Sequence, residues 1–266
     1  MRIAHVSDIH FGKILLPGIV GHLIDDVNRE GVDLVVLSGD LTQRARRWQF
    51  EAARELIDAF ESPTLAVPGN HDVHAWWRPH ARILRPLERF HHYITPELNP
   101  SFSMDGVAVL GINSAHGRTI MGGLIARNQR QRIEEYFSSF DRGTFKVLVV
   151  HHHLTRIQAL GPHDVARKAR KALKTACKVG VDLILCGHLH ISHIEPIDVV
   201  PARHRLVIAS AGTATSNRGR GPNPQSNFYN LIEVTPGHFS IEERLFEPAT
   251  GAFVSQGRTK FARVLE

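Results

Sequence analysis

The sequence predicts an α/β fold, with a mainly parallel sheet and helical crossovers followed by an antiparallel half. Three observations carry this. Arg2 to Ser7, Leu34 to Leu37, Thr64 to Val67, Phe145 to Val150 and Val181 to Cys186 are short, largely apolar runs rich in Val, Ile and Leu, as in strands buried on both faces. The first three alternate with stretches of helical period, giving β-α-β-α-β. Each run ends in Asp, Asn or His, and ligand sites in open α/β sheets lie beyond the carboxyl ends of the strands. If the runs lie side by side in one sheet, their ends form one polar cluster.

Met1 to Ser7 is the first strand and delivers Asp8-Ile9-His10. Pro17 to Glu30 repeats Ile19, Val20, Leu23, Ile24 and Val27 at helical spacing, closed by Gly31. The second strand ends in Ser38-Gly39-Asp40. Trp48 to Phe60 is the next helix, stopped by Glu61-Ser62-Pro63, and the third strand ends in Gly69-Asn70-His71-Asp72. His74 to Ile94 reads as one or two helices, with Trp76, Trp77, Ile83, Leu84, Leu87 and Phe90 packing on the sheet or capping the site. Ser101 to Met104 and Val107 to Ile112 flank Asp105-Gly106, a hairpin signal. Asn113 to Gly123 is a loop and Leu124 to Phe140 a helix.

Phe145 to Val150 ends in His151-His152-His153. Asp164 to Lys178 is a helix whose basic residues read as a solvated face. Val181 to Cys186 ends in Gly187-His188-Leu189-His190. Ile194 to Val200, Arg205 to Ala209, Phe228 to Val234 and Phe239 to Phe246 read as antiparallel strands. Gly212 to Asn227, with Arg218 and Arg220, is a long loop of the kind that often carries function. With no internal repeat and no linker, residues 1–266 are expected to form one domain.

The 32 Lys and Arg outnumber the 26 Asp and Glu, so the surface should attract anions such as phosphate esters. No apolar run approaches the ~20 residues of a membrane span. The chain enters a strand at once with no signal-peptide pattern, so the cytoplasm is the expected location. Cys177 and Cys186 are expected to be buried free thiols.

Asp8 and His10 stand two apart, as do His188 and His190. In extended backbone such pairs face one way. Glycines at 39, 69 and 187 would let the chain turn sharply beside a bound ion. Imidazole, carboxylate and amide oxygen suit Mn, Fe, Zn, Co or Ni rather than Ca. Asp8, His10, Asp40, Asn70, His151, His188 and His190 are too many ligands for one tetrahedral ion. They suit two ions sharing a carboxylate, an arrangement that clamps a phosphoryl group and generates a hydroxide nucleophile.

In order and spacing, Asp8-x-His10, Gly39-Asp40, Gly69-Asn70-His71-Asp72, His151 and Gly187-His188-x-His190 resemble the calcineurin-like metallophosphoesterase superfamily over residues 1 to about 195. Within it the chain looks like the compact bacterial class III cyclic-nucleotide phosphodiesterases and their glycerophosphodiester-cleaving relatives. The resemblance implies a four-layer α/β/β/α sandwich of two mixed sheets. It implies two divalent transition-metal ions, Mn or Fe first. Asp8, His10 and His190 would hold one, and Asn70, His151 and His188 the other. Asp40 would bridge them. His71 would be the proton donor or a transition-state contact, oriented by Asp72. Where the cyclic-nucleotide group usually has proline soon after a His-His pair, this chain has His153-Leu154, which leaves the substrate open. Which of the three histidines is the ligand is open too; His151 comes directly off the strand.

The implied activity is hydrolysis of a small phosphodiester such as 3′,5′-cyclic AMP. A glycerophosphodiester is an alternative. A lipid-precursor pyrophosphohydrolase is another, although that branch typically has arginine at the position of His71. A non-catalytic scaffold would lack ligands, and a repair nuclease would add a DNA-binding extension. No specific nucleic-acid partner is expected. Peripheral membrane contact and a homodimer are compatible with the sequence.

Overall fold

A computed structural model describes residues 1–157, 163–199, 204–221 and 224–263. Two six-stranded sheets face each other. The first has the order β12-β11-β10-β1-β2-β3. Its strands are β1 (Arg2–Val6), β2 (Leu34–Leu37), β3 (Thr64–Ala66), β10 (Phe228–Val234), β11 (His238–Glu247) and β12 (Ala252–Ala262). The second has the order β4-β5-β6-β7-β9-β8. It contains β4 (Ser101–Met104), β5 (Val107–Ile112), β6 (Phe145–Val150), β7 (Leu183–Cys186), β8 (His193–Val199) and β9 (His204–Ser210).

The strands alternate inward and outward because successive side chains point to opposite faces. Leu34 and Val36 of β2, Val147 and Val149 of β6, and Leu183 and Leu185 of β7 meet in the core between the sheets. Their neighbours face helices. Val35 and Leu37 pack with α1 (Ile19–Arg29) and α2 (Arg47–Asp58) on one side. Leu148, Val150 and Ile184 pack with α5 (Arg127–Ser138) and α6 (Ala169–Lys178) on the other. Apolar cover on both faces gives the strands their continuous apolar runs. Leu185→Ala in the central core would cost about 2–5 kcal/mol.

Several expectations are corrected. The parallel strands do not lie in one sheet. β1, β2 and β3 are parallel in the first sheet, and β5, β6, β7 and β9 in the second. β9 is therefore parallel to β7 and antiparallel only to β8. β12 was not expected at all; only Phe253 and Phe261 of it are buried, so its sequence carries almost no alternation. Residues 74–94 hold two short helices, α3 (Pro79–Leu84) and α4 (Glu88–Tyr93), and only Leu87 and Phe90 of the six named apolar residues are buried. α5 begins late because Leu124 bridges Arg167. Val200, at the end of the expected strand from Ile194, and Pro222 and Asn223, in the expected loop from Gly212 to Asn227, lie outside the described residues.

Candidate metal centre

The carboxyl ends of β1, β2, β3, β6 and β7 meet where the two sheets face each other. Backbone bonds tie them together, from Asp8 N to Gly39 O at 3.1 Å, His10 N to Asp40 O at 3.0 Å, and Gly187 N to His151 O at 3.1 Å. His188 N crosses between the sheets to Asp8 Oδ2 at 2.9 Å.

The local backbone is not extended. Asp8, His10, Asp40, His188 and His190 have φ between 53° and 72°. They are five of the eight non-glycine residues with positive φ among the described residues. Left-handed backbone in such residues costs of order 1–3 kcal/mol each and persists where the surroundings over-determine it. The paired side chains converge through these turns, not through strand alternation. Of the three glycines expected to turn, only Gly39 has positive φ. Gly69 and Gly187 are needed for close approach, since a Cβ at either would overlap Asp40 or Ser7.

Each carboxylate is anchored by one oxygen. Asp8 Oδ2 accepts from Ser7 Oγ at 2.6 Å and from His188 N. Asp40 Oδ1 accepts from His71 N at 2.8 Å. The other oxygens, Asp8 Oδ1 and Asp40 Oδ2, are buried and have no hydrogen-bond donor among the described residues. Asp8 Oδ1 stands 3.0 Å from His190 Nε2 and 3.5 Å from His10 Nε2. Asp40 Oδ2 stands 3.7 Å from His10 Nε2 and 3.4 Å from His151 Nε2. The ligand atoms of Asp8, His10, Asp40 and His190 all lie within 4.8 Å of one another.

The imidazoles are aimed by backbone carbonyls. His190 Nδ1 donates to Arg218 O and His151 Nδ1 to Ser38 O, both at 2.8 Å, which leaves each Nε2 facing the carboxylates. Asn70 Oδ1 stands 3.2 Å from His151 Nε2 and 3.0 Å from His188 Nδ1. His152 groups with His151 and His188 by distance. Its ring is already used, however: Nδ1 is 2.8 Å from Ser114 Oγ and Nε2 is 2.9 Å from Met121 O. His153 contacts Ser210 Oγ at 3.2 Å, away from the carboxylates. The run of three histidines thus divides into one ring with Nε2 toward Asp40 and Asn70 and two with partners elsewhere.

The electrostatics favour positive charge at the site. Burial alone would raise the Asp8 carboxyl, but His190, His10 and His151 around it hold it well below the usual carboxylate range. Asp40 is held low in the same way by His151 and His71. Burial would lower His151, yet Asp40 and Asp8 raise it to about 9. The two carboxylates thus favour positive charge beside them. Buried carboxylates with undonated oxygens, facing imidazole nitrogens and an amide oxygen, are a donor set that fits divalent transition metals.

His71 and Asp72 depart from expectation. Asp72 does not orient the His71 ring. Its carboxylate accepts from Gly69 N and Thr42 N, both at 2.9 Å, from Thr42 Oγ1 at 3.0 Å and from Leu41 N at 3.2 Å, so it pins two loops together. Burial and the Asp40 charge push it up to about 7. The His71 ring is held instead by Gln43 O, 2.8 Å from Nδ1, with Arg44 at 3.2 Å. Beside it opens a cavity of about 300 Å³ that His71 and Asn70 line with Arg44, Arg218, Trp76 and Met121. The carbonyls of Ser38, Gln43 and Arg218 had no signal in the sequence, because every residue carries one.

The calcineurin-like phosphoesterase profile matches residues 1–192. The glycerophosphodiester phosphodiesterase GpdQ of Enterobacter lignolyticus is 34% identical over 96 residues, which is 32% of this chain and 34% of that protein. The match thus spans about a third of that relative's own length. A probable cyclic nucleotide phosphodiesterase of Synechococcus is 23% identical over 210 residues, 73% of this chain and 75% of the relative. A purple acid phosphatase from yellow lupin (Lupinus luteus) seeds superposes with a TM-score of 0.73 at 14% identity, over 99% of this chain and 54% of the phosphatase, a likeness of fold. The matched span takes in every strand end described above and stops just after His190, so the His and Asp cluster able to bind metal ions falls wholly within the shared region. The chain belongs to the calcineurin-like phosphoesterase family.

Proposed function

We propose that the chain hydrolyses a small phosphodiester with two divalent transition-metal ions, Mn or Fe first. The observation that carries this reading is the buried Asp40 Oδ2, without a donor and between His10 Nε2 at 3.7 Å and His151 Nε2 at 3.4 Å. Asp8, His10 and His190 would hold one ion, Asn70, His151 and His188 the other, with Asp40 between them as the shared carboxylate. The ions, when bound, supply Lewis acidity toward the phosphoryl group and an activated water nucleophile.

The chain's own residues do the rest. Arg218 O and Ser38 O fix the tautomers of His190 and His151, so that Nε2 of each is the lone-pair nitrogen. His71 lines the cavity with Nδ1 anchored on Gln43 O, which leaves Nε2 as the atom that meets substrate. Burial lowers its pKa, opposed by Asp40 and assisted by Arg218 and Arg44, so its imidazolium is a strong proton donor to a leaving oxygen. Arg44 and Arg218 in the same cavity offset negative charge on the phosphoryl group. Asp72 acts through the loops it joins.

A 3′,5′-cyclic nucleotide is the leading substrate. The similarity to GpdQ favours a glycerophosphodiester as the second reading. The test is kcat/KM of one Mn-loaded sample on bis(p-nitrophenyl) phosphate, p-nitrophenyl phosphate, 3′,5′-cAMP, 2′,3′-cAMP and glycerophosphoethanolamine. Diesters are expected to be preferred. A monoester preferred over every diester overturns the reading; diester turnover without 3′,5′-cAMP turnover removes the cyclic nucleotide alone.

A further inference from the structure

Trp76, Trp77, Ile120 and Met121 line one side of the cavity, and Ile83 and Leu84 follow directly on Arg82, which lines it too. Trp76, Trp77, Ile83, Leu84, Ile120 and Met121 are each between 48% and 75% exposed. They come from two segments that are locked together: Arg82, buried beneath them, donates to His74 O and to Thr119 O. Gly117 lies so close to Arg82 O that a Cβ there would overlap it. The Trp76 and Trp77 rings meet edge to face at 5.7 Å. Scattered exposed apolar residues need no explanation, but a ridge of six on a fixed scaffold marks an interaction surface.

Behind Trp77 is a second cavity of about 300 Å³, lined by Arg44, Arg46, Arg47, Arg78 and Arg89 with His74. Among the described residues no carboxylate lines it. Glu51 pairs with Arg47 at 2.8 Å and Glu88 lies 3.7 Å from His74. Among the described residues, Arg44, Arg46, Arg78 and Arg89 have no carboxylate within 4.0 Å. The twelve-residue helix α2 begins at Arg47, so its positive end adds to the same field.

We propose that the Trp76, Trp77, Ile83, Leu84, Ile120 and Met121 ridge and the arginine pocket behind it form a docking surface for an anionic phospholipid membrane. The ridge enters the interfacial layer and the pocket takes lipid headgroup phosphate. Tryptophans favour that layer, and aliphatic tips beside arginines are the pattern of proteins that lie on membranes. Arginine matches phosphate in planar geometry. The occupant is not a nucleic acid, because four of the six ridge residues are aliphatic and offer no stacking platform. A second copy is disfavoured, because it would offer the same basic pocket and no acidic complement to it. The docking does not depend on the hydrolytic reading.

The test uses the full chain with vesicles of phosphatidylcholine alone and of equimolar phosphatidylcholine and phosphatidylglycerol. Binding is read by co-flotation and by fluorescence of the chain's three tryptophans, two of which stand on the ridge. Anionic vesicles are expected to bind, with a blue shift, quenching by brominated acyl chains, and weakening as salt rises. Leu84→Glu should weaken binding at least about tenfold, and Arg78→Glu about fivefold or more. Leu84 lies outside the cavity, so Leu84→Glu should hydrolyse soluble bis(p-nitrophenyl) phosphate as the parent does, which excludes misfolding. Absence of binding, binding indifferent to lipid charge, or binding unchanged by Leu84→Glu overturns the proposal. So does a dimer, or an RNA complex, that Leu84→Glu abolishes without any vesicle binding. Vesicle binding with no turnover of any diester would instead overturn the proposed function and leave the surface standing.

Discussion

Gly39→Ala probes how closely the two sheets are seated at the site. Gly39 has φ +103°, and a Cβ there would stand 2.5 Å from His151 Nδ1 and 2.8 Å from Gly69 N. Left-handed strain costs ~1–3 kcal/mol. Overpacking adds ~1–3 kcal/mol. For 266 residues the unfolding entropy near Tm is about 0.56 kcal/mol per kelvin, so the pair of effects lowers Tm by about 4–11 °C. Gly31→Ala is the control. It also has positive φ, +56°, but no atom lies within 4 Å of its Cβ. Only the backbone cost of ~1–2 kcal/mol remains, or about 2–4 °C. Calorimetry of EDTA-stripped protein reads both shifts, and elemental analysis after Mn loading reads the site. Gly39→Ala should lose bound metal because its methyl group displaces the His151 ring, whereas Gly31→Ala should keep it. Equal Tm shifts with full metal in both variants would refute the close seating of Gly39 against His151.

His151→Gln should lose metal, whereas His152→Gln should keep it and lose stability, since the His152 ring serves Ser114 and Met121; elemental analysis of the two, with the reverse pattern, would make His152 the ligand. His71→Ala should slow turnover ~10²–10⁴-fold with metal retained, less for a p-nitrophenolate leaving group than for an alkoxide, and equal losses for both would reject the proton donor. Buried His5, 2.9 Å from Ser38 Oγ, has its pKa pushed down by burial to about 3. The unfolded chain therefore takes up a proton that the folded chain refuses, and stability contributed by neutral His5 is present above pH ~6.5 and lost as pH falls toward 3. His5→Gln should remove about 1.4 kcal/mol per pH unit from the slope of stability between pH ~4 and ~5.5, read by urea unfolding in EDTA; an unchanged slope would contradict a neutral His5.

The strands that carry the site were legible because burial on both faces turns them into apolar runs, and each run stops at a ligand-type residue. Strand direction and sheet membership were not, because alternation is the same in parallel and antiparallel partners. β9 shows this. β12 was invisible because it lies at a sheet edge with most of its residues exposed. Asp8, His10, Asp40, Asn70, His151, His188 and His190 could be picked out from type and spacing as a candidate cluster. Their left-handed backbone could not, since Asp and His adopt it more often than most residues but still in a small minority of positions. The partners of His151, His190 and His71 are carbonyls, which no residue type announces. The exposure of Trp76, Trp77, Ile83 and Leu84 ran against the amphipathic pattern: Pro79 opens one helix and Pro86 separates it from the next, so the apolar stripe is broken.

The central claim is a pair of ions bridged by Asp40. Its most direct test is Mn stoichiometry with electron paramagnetic resonance on the same loaded sample, freed of excess metal. Two Mn per chain with an exchange-coupled signal are expected, and Asp40→Asn should abolish the coupling. A stoichiometry that stays at one or below across Mn, Fe, Zn and Co, or two uncoupled Mn ions in the unaltered chain, would contradict it.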